Sequence, residues 1–443
     1  MTTQTMTSSA VMNGAKISGL QILTLVLCFL VVAADGFDVA AAGYVAPLLK
    51  REWMLSGAQM GPIFGAGLFG LTVGGFFFGP LADRIGRRRV IVVSMLLFAL
   101  GSVACGFADS VNSLVTLRFL TGLGLGGAMP AALTLSSEFA PERNRALLVT
   151  LMFCGFTLGL AFGGGIAALL IPRFGWQGVF FFGGAVPLVL APIVWLLLPE
   201  SLRFMAGKPK YEKEARAVLR RLTGRDDVKL EVALPEARGE AAGARSGIVA
   251  TLFNDHYRVG TLLLWLTFFC TLWVYYQISS WLPTVITDSG IAVTEAATIG
   301  AMMPIGGTIG SLINARLMDR YNPFFVLTCS YVVAAVSIVM IGAAIPHPGW
   351  LYAAVFCTGL GLSGAQTGAN VLVSGFYTTA ARATGVSWAL AVGRIGSIVG
   401  SMTGGLLLAA VASRQTAFLV FAVPAVIAGC AMLVTGRLYK EGK

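Results

Sequence analysis

Two glycine-rich stretches decide the fold of this chain. Residues 121–128 read TGLGLGGA, and residues 358–365, 237 positions later, read TGLGLSGA. A second similarity lies ahead of each stretch, where GPLADR at 79–84 corresponds to ARLMDR at 315–320 and aligns Asp83-Arg84 with Asp319-Arg320. Two repeats at nearly the same offset indicate that a structural unit is duplicated along the chain.

The sequence around these stretches is too apolar for an ordinary soluble enzyme. Of the 443 residues, 56% are apolar and 12% are charged, and the mean hydropathy is +0.81. Soluble domains carry ~25% charged residues, and one membrane span needs ~20 apolar residues. Twelve stretches qualify as spans, at 18–43, 59–80, 90–108, 112–137, 146–170, 176–198, 257–282, 294–317, 323–345, 349–374, 383–408 and 415–436. We therefore predict an all-α membrane protein with twelve transmembrane helices in two pseudo-symmetric six-helix bundles.

The basic residues are distributed unevenly between the two sides of such a protein. Of the 31 Lys and Arg, four fall in the loops of one side and two lie inside spans. The four are Lys50, Arg51, Arg173 and Arg414, and the two are Arg118 and Arg394. The positive-inside rule then predicts that both termini are cytoplasmic. We expect a multi-pass protein of the plasma membrane, the inner membrane in a bacterium. Membrane insertion accounts for the basic surplus, so we expect no nucleic-acid binding.

The domain organisation follows from the same windows. We predict a cytoplasmic tail at 1–17, a six-span bundle at 18–198, a cytoplasmic linker at 199–256, a second bundle at 257–436 and a tail at 437–443. Within the linker, residues 211–222 form an amphipathic helix whose apolar edge includes Val218 and Leu219. We interpret this helix as a connector on the lipid surface, with a regulatory partner site as the alternative.

The side chains that commonly bind metal ions do not form a metal-binding pattern. The seven cysteines lie in apolar stretches without a CxxC pair, which is typical of buried small side chains. His256 and His347 fall in loops, and the sequence has no HExxH pattern. We expect no metal and no cofactor.

Several of these stretches resemble motifs of the major facilitator superfamily. Residues 79–89, GPLADRIGRRR, are similar to its cytoplasmic loop signature, Arg118 with Gly122 and Gly124 to its fourth-span motif, and 199–201, PES, to its end-of-span-6 signature. The resemblance covers essentially all of residues 18–437. The strings DGFD at 35–38, Gln366-Thr367 and RATGV at 382–386 resemble, more narrowly, the aromatic acid:proton symporters that import 4-hydroxybenzoate and protocatechuate. This implies a symporter working by alternating access.

Charged residues inside the spans are the first candidates for the mechanism. Asp35 and Asp38 are three residues apart and share one helical face, so apolar surroundings should favour protonation of at least one. We assign both to proton coupling. Arg118 lies about 9 Å below the outer end of its span and Asp38 about 13 Å below the end of its own, so the two can pair. A purely structural pair is the alternative.

Arg394 is the second buried cation of interest. It lies about 18 Å along its span and hence near the midplane, where a planar guanidinium can grip a carboxylate bidentately. Asp35, Asp38, Arg118 and Arg394 sum to zero charge, so an added carboxylate leaves an excess negative charge that one proton removes, provided that all four border one cavity. We assign Arg118 and Arg394 to substrate binding.

A polar stripe and a group of aromatic residues complete the predicted substrate site. Ser363, Gln366, Thr367 and Asn370 repeat with helical spacing, and a polar stripe would be costly against lipid. Trp273 and Tyr275 offer aromatic surface at mid-membrane depth. We expect Gln366, Asn370, Tyr275 and Trp273 to bind the substrate. Other tryptophans lie near span ends and are expected in the interfacial belt: Trp53, Trp176, Trp281 and Trp350.

Charged residues near the inner span ends are candidate gates. Asp83 can accept a hydrogen bond from Arg87, and we expect Glu138 to pair with Arg143 or Arg145. The positive-inside rule explains most arginines of residues 84–89 equally well. Our candidate gating residues are Asp83, Arg84, Arg87, Glu138, Asp319, Arg320 and Arg382.

These observations predict a monomeric membrane symporter whose partners are an aromatic carboxylate, a proton and the bilayer. One alternative is proton symport of another organic anion, such as muconate, hydroxyphenylpropionate or a sugar acid. A drug or metabolite antiporter is disfavoured, because Leu160 stands where that group carries a proline in its fifth span. A membrane enzyme or sensor would need a further domain, and the linker is too short and too polar to form one.

Overall fold

A computed structural model gives the fold and describes residues 4–6, 17–223, 228–230, 252–254, 257–345, 347–411 and 413–439. Most of the two predicted tails, much of the predicted linker and His256 lie outside these residues. The helices are α1 (Gly19–Glu52), α2 (Gly57–Ile85), α3 (Arg87–Cys105), α4 (Val111–Phe139), α5 (Arg145–Leu197), α6 (Leu202–Met205), α7 (Glu212–Thr223), α8 (Arg258–Thr287), α9 (Val293–Met318), α10 (Pro323–Ala344), α11 (Pro348–Phe376), α12 (Thr379–Ala410) and α13 (Arg414–Leu438). Short 3-10 turns lie at Glu142–Asn144 and Pro209–Tyr211, and the strands β1 (Gln4–Met6) and β2 (Val228–Leu230) pair in parallel.

The helices account for the predicted membrane passes. Among the described residues, ten helices are long and apolar enough to cross a membrane. One of the ten is α5, which has 53 residues and bends at Gly175, where φ is 65°, so it is long enough for two passes. The helix α11 has 29 residues but is not one of the ten. It carries the polar stripe that includes Gln366 and Asn370, which lowers its mean hydropathy. The prediction of an all-α membrane fold is confirmed.

Contacts between Cα atoms divide the chain into two compact units. Unit 1 contains Met1–Val39, Phe69–Gly159 and Phe180–Arg238, and unit 2 contains Ala40–Leu68, Leu160–Val179 and Gly239–Lys443. The last part of α1, the first part of α2 and the middle of α5 thus cluster with the later part of the chain. The six-span halves 18–198 and 257–436 are defined by sequence similarity and stay a prediction.

The two glycine-rich stretches make the same contact within their own units. A Cβ at Gly124 in α4 would lie 2.6 Å from the backbone nitrogen of Phe98 in α3, and a Cβ at Gly361 in α11 would lie 2.6 Å from that of Ala334 in α10. Any other residue would push these helices apart. The duplicated sequence therefore produces duplicated helix packing, within unit 1 and again within unit 2.

The linker helix α7 packs on protein, so its interpretation as a lipid-surface connector is wrong. Val218 and Leu219 are 7% and 2% exposed and belong to the core of unit 1 together with Leu202 and Phe204. The apolar edge was recognised correctly, but an amphipathic pattern is the same whether its apolar side meets lipid or protein.

Two of the tryptophans expected at the interface are buried. Trp176 and Trp281 are 1% and 2% exposed. The indole N–H of Trp176 donates to Glu52, and that of Trp281 donates to the carbonyl of Ser401. These hydrogen bonds satisfy the polar edge of each ring inside the protein, which removes the advantage of an interfacial position.

Candidate functional site

Three buried charged residues of unit 1 lie on α1 and α4. Asp35 and Asp38 are 0% exposed and Arg118 is 3% exposed. Nη1 of Arg118 donates to Oδ2 of Asp38 at 2.9 Å, and Nη2 donates to the backbone carbonyl of Asp38 at 3.3 Å. The guanidinium carbon also lies 5.7 Å from the ring centroid of Phe180. The pair that depth along the helices suggested is therefore present, and it is buried.

One oxygen of this pair remains available. Among the described residues, Oδ1 of Asp38 has no hydrogen-bond partner. With both acids ionised, Asp35, Asp38 and Arg118 carry a net charge of −1. A proton on either carboxyl group would neutralise the cluster, and burying an uncompensated charge is expensive. The role of Asp35 and Asp38 in proton coupling stays a prediction.

The loop signature of unit 1 forms a network of ion pairs. Arg87 donates to Asp83 at 2.8 Å and lies 3.7 Å from Glu138. Glu138 therefore pairs with Arg87 rather than with Arg143 or Arg145, because the end of α4 points to the start of α3. Arg145 lies instead 3.9 Å from Glu142.

Two further arginines of this loop reach the linker, so membrane sidedness alone does not account for them. Arg88 forms a 2.9 Å ion pair with Glu214 of α7, and Arg89 donates to the hydroxyl of Tyr211 at 2.8 Å. Arg84 is exposed and has no ion pair within the described chain. The loop signature thus positions α7 as well as the ends of α2 and α3.

Glu200 was missed as a structural residue of this network. Its carboxylate accepts the backbone N–H groups of Arg87 at 2.8 Å and Arg88 at 3.2 Å, and the side chain is 2% exposed. A carboxylate there accepts hydrogen bonds from backbone N–H groups that have no partner within the first turn of α3, and it complements the helix dipole. The PES string at 199–201 was the available signal, but a long-range cap cannot be located from sequence.

The predicted polar stripe of unit 2 is present on α11. Gln366 is half-buried and donates to Oδ1 of Asn370 at 3.3 Å, whereas Thr367 lies 2.9 Å from the hydroxyl of Ser311 on α9. Thr367 and Asn370 are exposed. Oε1 of Gln366 is buried without a hydrogen-bond partner among the described residues, so the stripe retains an unused acceptor.

Arg394 and the aromatic candidates also lie in unit 2. Arg394 is half-buried on α12, and within the described chain no carboxylate lies within the 4.0 Å limit of an ion pair with it. Tyr275 packs on Tyr276 with ring centroids 5.3 Å apart, and it lines a narrow pocket with Tyr44 and Ser279. Trp273 packs edge-on against Phe269 at 5.5 Å. Sequence analysis had not singled out Tyr44.

Three further gate candidates remain isolated. Asp319, Arg320 and Arg382 are exposed, and none of them forms an ion pair in the part of the chain that the structure describes. The described residues likewise contain no cluster of His, Cys, Asp or Glu that could hold a metal ion. The gating role of these three residues stays a prediction.

Comparison with solved structures identifies the fold. A bacterial homologue of the human lysosomal transporter Spinster, inward-facing and occupied, aligns with a TM-score of 0.74 at 18% identity, covering 97% of this chain and 99% of that one. The inward-open xylose transporter XylE of Escherichia coli aligns with a TM-score of 0.72 at 17% identity, covering 93% and 96%. At these identities the likeness concerns the fold.

Comparison with curated sequences reaches closer relatives. The chain is 42% identical to a gallate transporter of Pseudomonas putida, covering 96% of this chain and 94% of that protein. It is 40% identical to the 4-hydroxybenzoate transporter PcaK of Acinetobacter baylyi, covering 96% and 93%. A 3-(3-hydroxy-phenyl)propionate transporter of Escherichia coli is 36% identical, with 87% of each chain covered.

These relatives are transporters, and the chain is a membrane transporter rather than an enzyme. The sequence profile described as Major Facilitator Superfamily matches residues 28–328 and 264–442, which together cover nearly the whole chain. This protein therefore belongs to the major facilitator superfamily.

Proposed function

We propose that this protein imports aromatic carboxylates of the hydroxybenzoate type together with protons, by alternating access. It would lie in the bacterial inner membrane as a monomer with both termini in the cytoplasm. The observation that carries the proposal is the buried cluster of Asp35, Asp38 and Arg118, with its net charge of −1. The named substrates of its relatives, gallate and 4-hydroxybenzoate, support the substrate class.

The electrostatics of each unit supports coupling to protons. In unit 1, one proton neutralises the Asp35, Asp38 and Arg118 cluster. In unit 2, a substrate carboxylate neutralises Arg394, which has no carboxylate partner among the described residues. Summed over Asp35, Asp38, Arg118 and Arg394, the empty carrier and the doubly loaded carrier have no net charge, whereas a carrier loaded with only one ligand keeps a net charge that is costly at low dielectric. This difference favours movement of the doubly loaded carrier.

The chemistry of unit 2 supports an aromatic substrate. Arg394 can donate two parallel hydrogen bonds to a carboxylate, and Gln366 and Asn370 can bond a ring hydroxyl. Trp273 and Tyr275 offer flat apolar surface. A hydroxybenzoate has all three complementary features, whereas a sugar acid lacks the ring.

Uptake by proteoliposomes containing the purified protein tests the proposal. The labelled panel contains gallate, 4-hydroxybenzoate, protocatechuate, 3-(3-hydroxyphenyl)propionate, muconate and gluconate, each with and without an inward proton gradient. We expect accumulation of the hydroxybenzoates only when the gradient is imposed. Accumulation that is independent of the gradient would contradict proton coupling. A preference for gluconate or muconate would contradict the assignment of aromatic carboxylates as substrates.

Hydroxyphenylpropionate is the second candidate substrate. The 36% identical Escherichia coli relative, named for that compound, supports it. Its carboxylate is separated from the ring by two further carbons, so it would need a longer site. A lower KM for 3-(3-hydroxyphenyl)propionate than for 4-hydroxybenzoate in the same assay would favour this candidate.

A further inference from the structure

Three of the four basic residues that the sequence assigns to the outer side converge on one helix end. Lys50 Nζ lies 2.5 Å from Oδ2 of Asp288, the residue that follows the last turn of α8. Arg414 donates to the backbone carbonyl of Asp288 at 2.5 Å, and Arg51 donates to that of Thr287 at 3.5 Å. All of these residues belong to unit 2.

The end of α8 is a suitable partner for cations. The last carbonyl groups of a helix have no partner within the helix, and the helix dipole places about half a negative charge there. Asp288 adds a full negative charge at the same point. The side chains of Lys50 and Asp288 are 33% and 37% exposed, so water can reach the pair and it can break without burying a charge.

Membrane sidedness explains none of these basic residues, and only Lys50 and Arg51, in the last turn of α1, are favoured by the dipole of their own helix. Arg414 is the first residue of α13, where the helix dipole disfavours a cation. Basic residues are also depleted from outer loops in general. Their contacts with α8 supply the missing reason, because each cation meets a carbonyl or a carboxylate from another helix.

We propose that Asp288 is an outer latch residue, which holds the outer ends of α1 and α13 against the end of α8 and opens when substrate enters from outside. This inference rests on the proposed function, since a latch has meaning only in an alternating-access carrier. Asp288 acts through gate position and does not contact the substrate. Lys50 is its main partner, and Arg51 and Arg414 add contacts to backbone carbonyls that survive substitution of the Asp288 side chain.

A thiol placed below the latch reports whether the outer end is open. Ser279 is half-buried, lines the narrow pocket beside Tyr44 and Tyr275, and precedes Asp288 by nine residues, about 13 Å along α8. In Ser279→Cys protein in right-side-out vesicles, an impermeant thiol reagent added outside reaches the introduced thiol only when the outer end opens. Labelling of the same chains with Ser279 intact provides the background from native cysteines.

Charge substitutions then test the latch. We expect Asp288→Asn and Lys50→Asp each to raise the labelling rate about two- to fivefold, the range that a partly exposed ion pair supports. The exchanged pair, Lys50→Asp with Asp288→Lys, should return the rate to within about twofold of the starting protein. Asp109→Asn is the matched control, because Asp109 is an exposed acid without an ion pair among the described residues.

Two results would overturn the proposal. Unchanged labelling in both single variants would remove the latch, and raised labelling that the exchanged pair does not reverse would indicate local damage. Labelling needs no substrate, so it separates this proposal from the proposed function, which fails if the unsubstituted protein does not accumulate hydroxybenzoates. In a transporting protein, Asp288→Asn should also lower the KM for external substrate without raising the maximal rate, because a larger fraction of carriers faces outward.

Discussion

Asp38 accepts a 2.9 Å hydrogen bond from Arg118, and neither residue is more than 3% exposed. A buried ion pair of this kind stabilises little by itself, but removing one partner leaves an uncompensated charge that costs about 3–5 kcal/mol. Experiments can therefore separate two effects. Breaking the ion pair should lower the stability of the protein, whereas removing a carboxyl group that carries the coupled proton should stop transport.

Substitution of the two aspartates separates these consequences. Asp35→Asn and Asp38→Asn should both abolish accumulation driven by a proton gradient, because an amide cannot carry the proton. Asp38→Asn should also lower the melting temperature in detergent, because Arg118 loses its carboxylate, whereas Asp35→Asn leaves the Asp38–Arg118 pair intact. Uptake driven by an imposed gradient and thermal unfolding of each variant are the measurements.

The Asp38→Asn, Arg118→Gln double variant is the control for stability. It leaves neither member of the ion pair without its partner, so its melting temperature should lie above that of Asp38→Asn, while accumulation stays absent. If the Asp38→Asn variant accumulated as much substrate as the unsubstituted protein, Asp38 would have no role in proton coupling.

Asp83 should affect the rate of transport more than binding. Its side chain is 58% exposed and pairs with Arg87 at 2.8 Å, at the end of α2. An exposed pair contributes at most about 1 kcal/mol to stability, so Asp83→Asn should fold normally. We expect slower exchange of internal for external substrate with an unchanged equilibrium Kd. Normal exchange combined with weakened binding would contradict a gating role.

The membrane passes and the Asp38–Arg118 pair could be predicted from sequence, whereas the partners of the loop arginines could not. Hydropathy fixes the passes because the bilayer demands apolar length, and depth along two helices limits which buried charges can meet. Arg89 and Tyr211 are 122 residues apart, and their contact depends on where α7 docks. Glu138 was assigned to neighbours in sequence, although its partner is Arg87, because the direction of a helix end is a tertiary property.

Docking of the linker helix gives a prediction with a control on the same helix. Val218→Asp places a charge in the core of unit 1, whereas Ala217→Asp places it on the exposed side of α7. We expect Val218→Asp to speed tryptic cleavage within 212–223 at least ~10-fold, which corresponds to about 1.4 kcal/mol of easier opening. Ala217→Asp should leave cleavage within twofold. Equal effects of both substitutions would mean that α7 does not depend on this packing.

We expect Arg394 to determine which substrates the site recognises. It has no carboxylate partner among the described residues, so we expect it to bind the substrate's carboxylate through two parallel hydrogen bonds. Arg394→Lys keeps the charge but loses this geometry, so hydroxybenzoate binding should weaken by about 1 kcal/mol or more, roughly fivefold, with the uncharged Arg394→Gln weaker still.

Competition with uncharged analogues tests the same point in the unsubstituted protein. 4-Hydroxybenzoate and protocatechuate should block uptake of the labelled acid, whereas the corresponding amides, which keep the shape and lose the charge, should not. Equal competition by the amides would show that the site does not recognise the carboxylate, and would contradict the assignment of Arg394 to substrate binding.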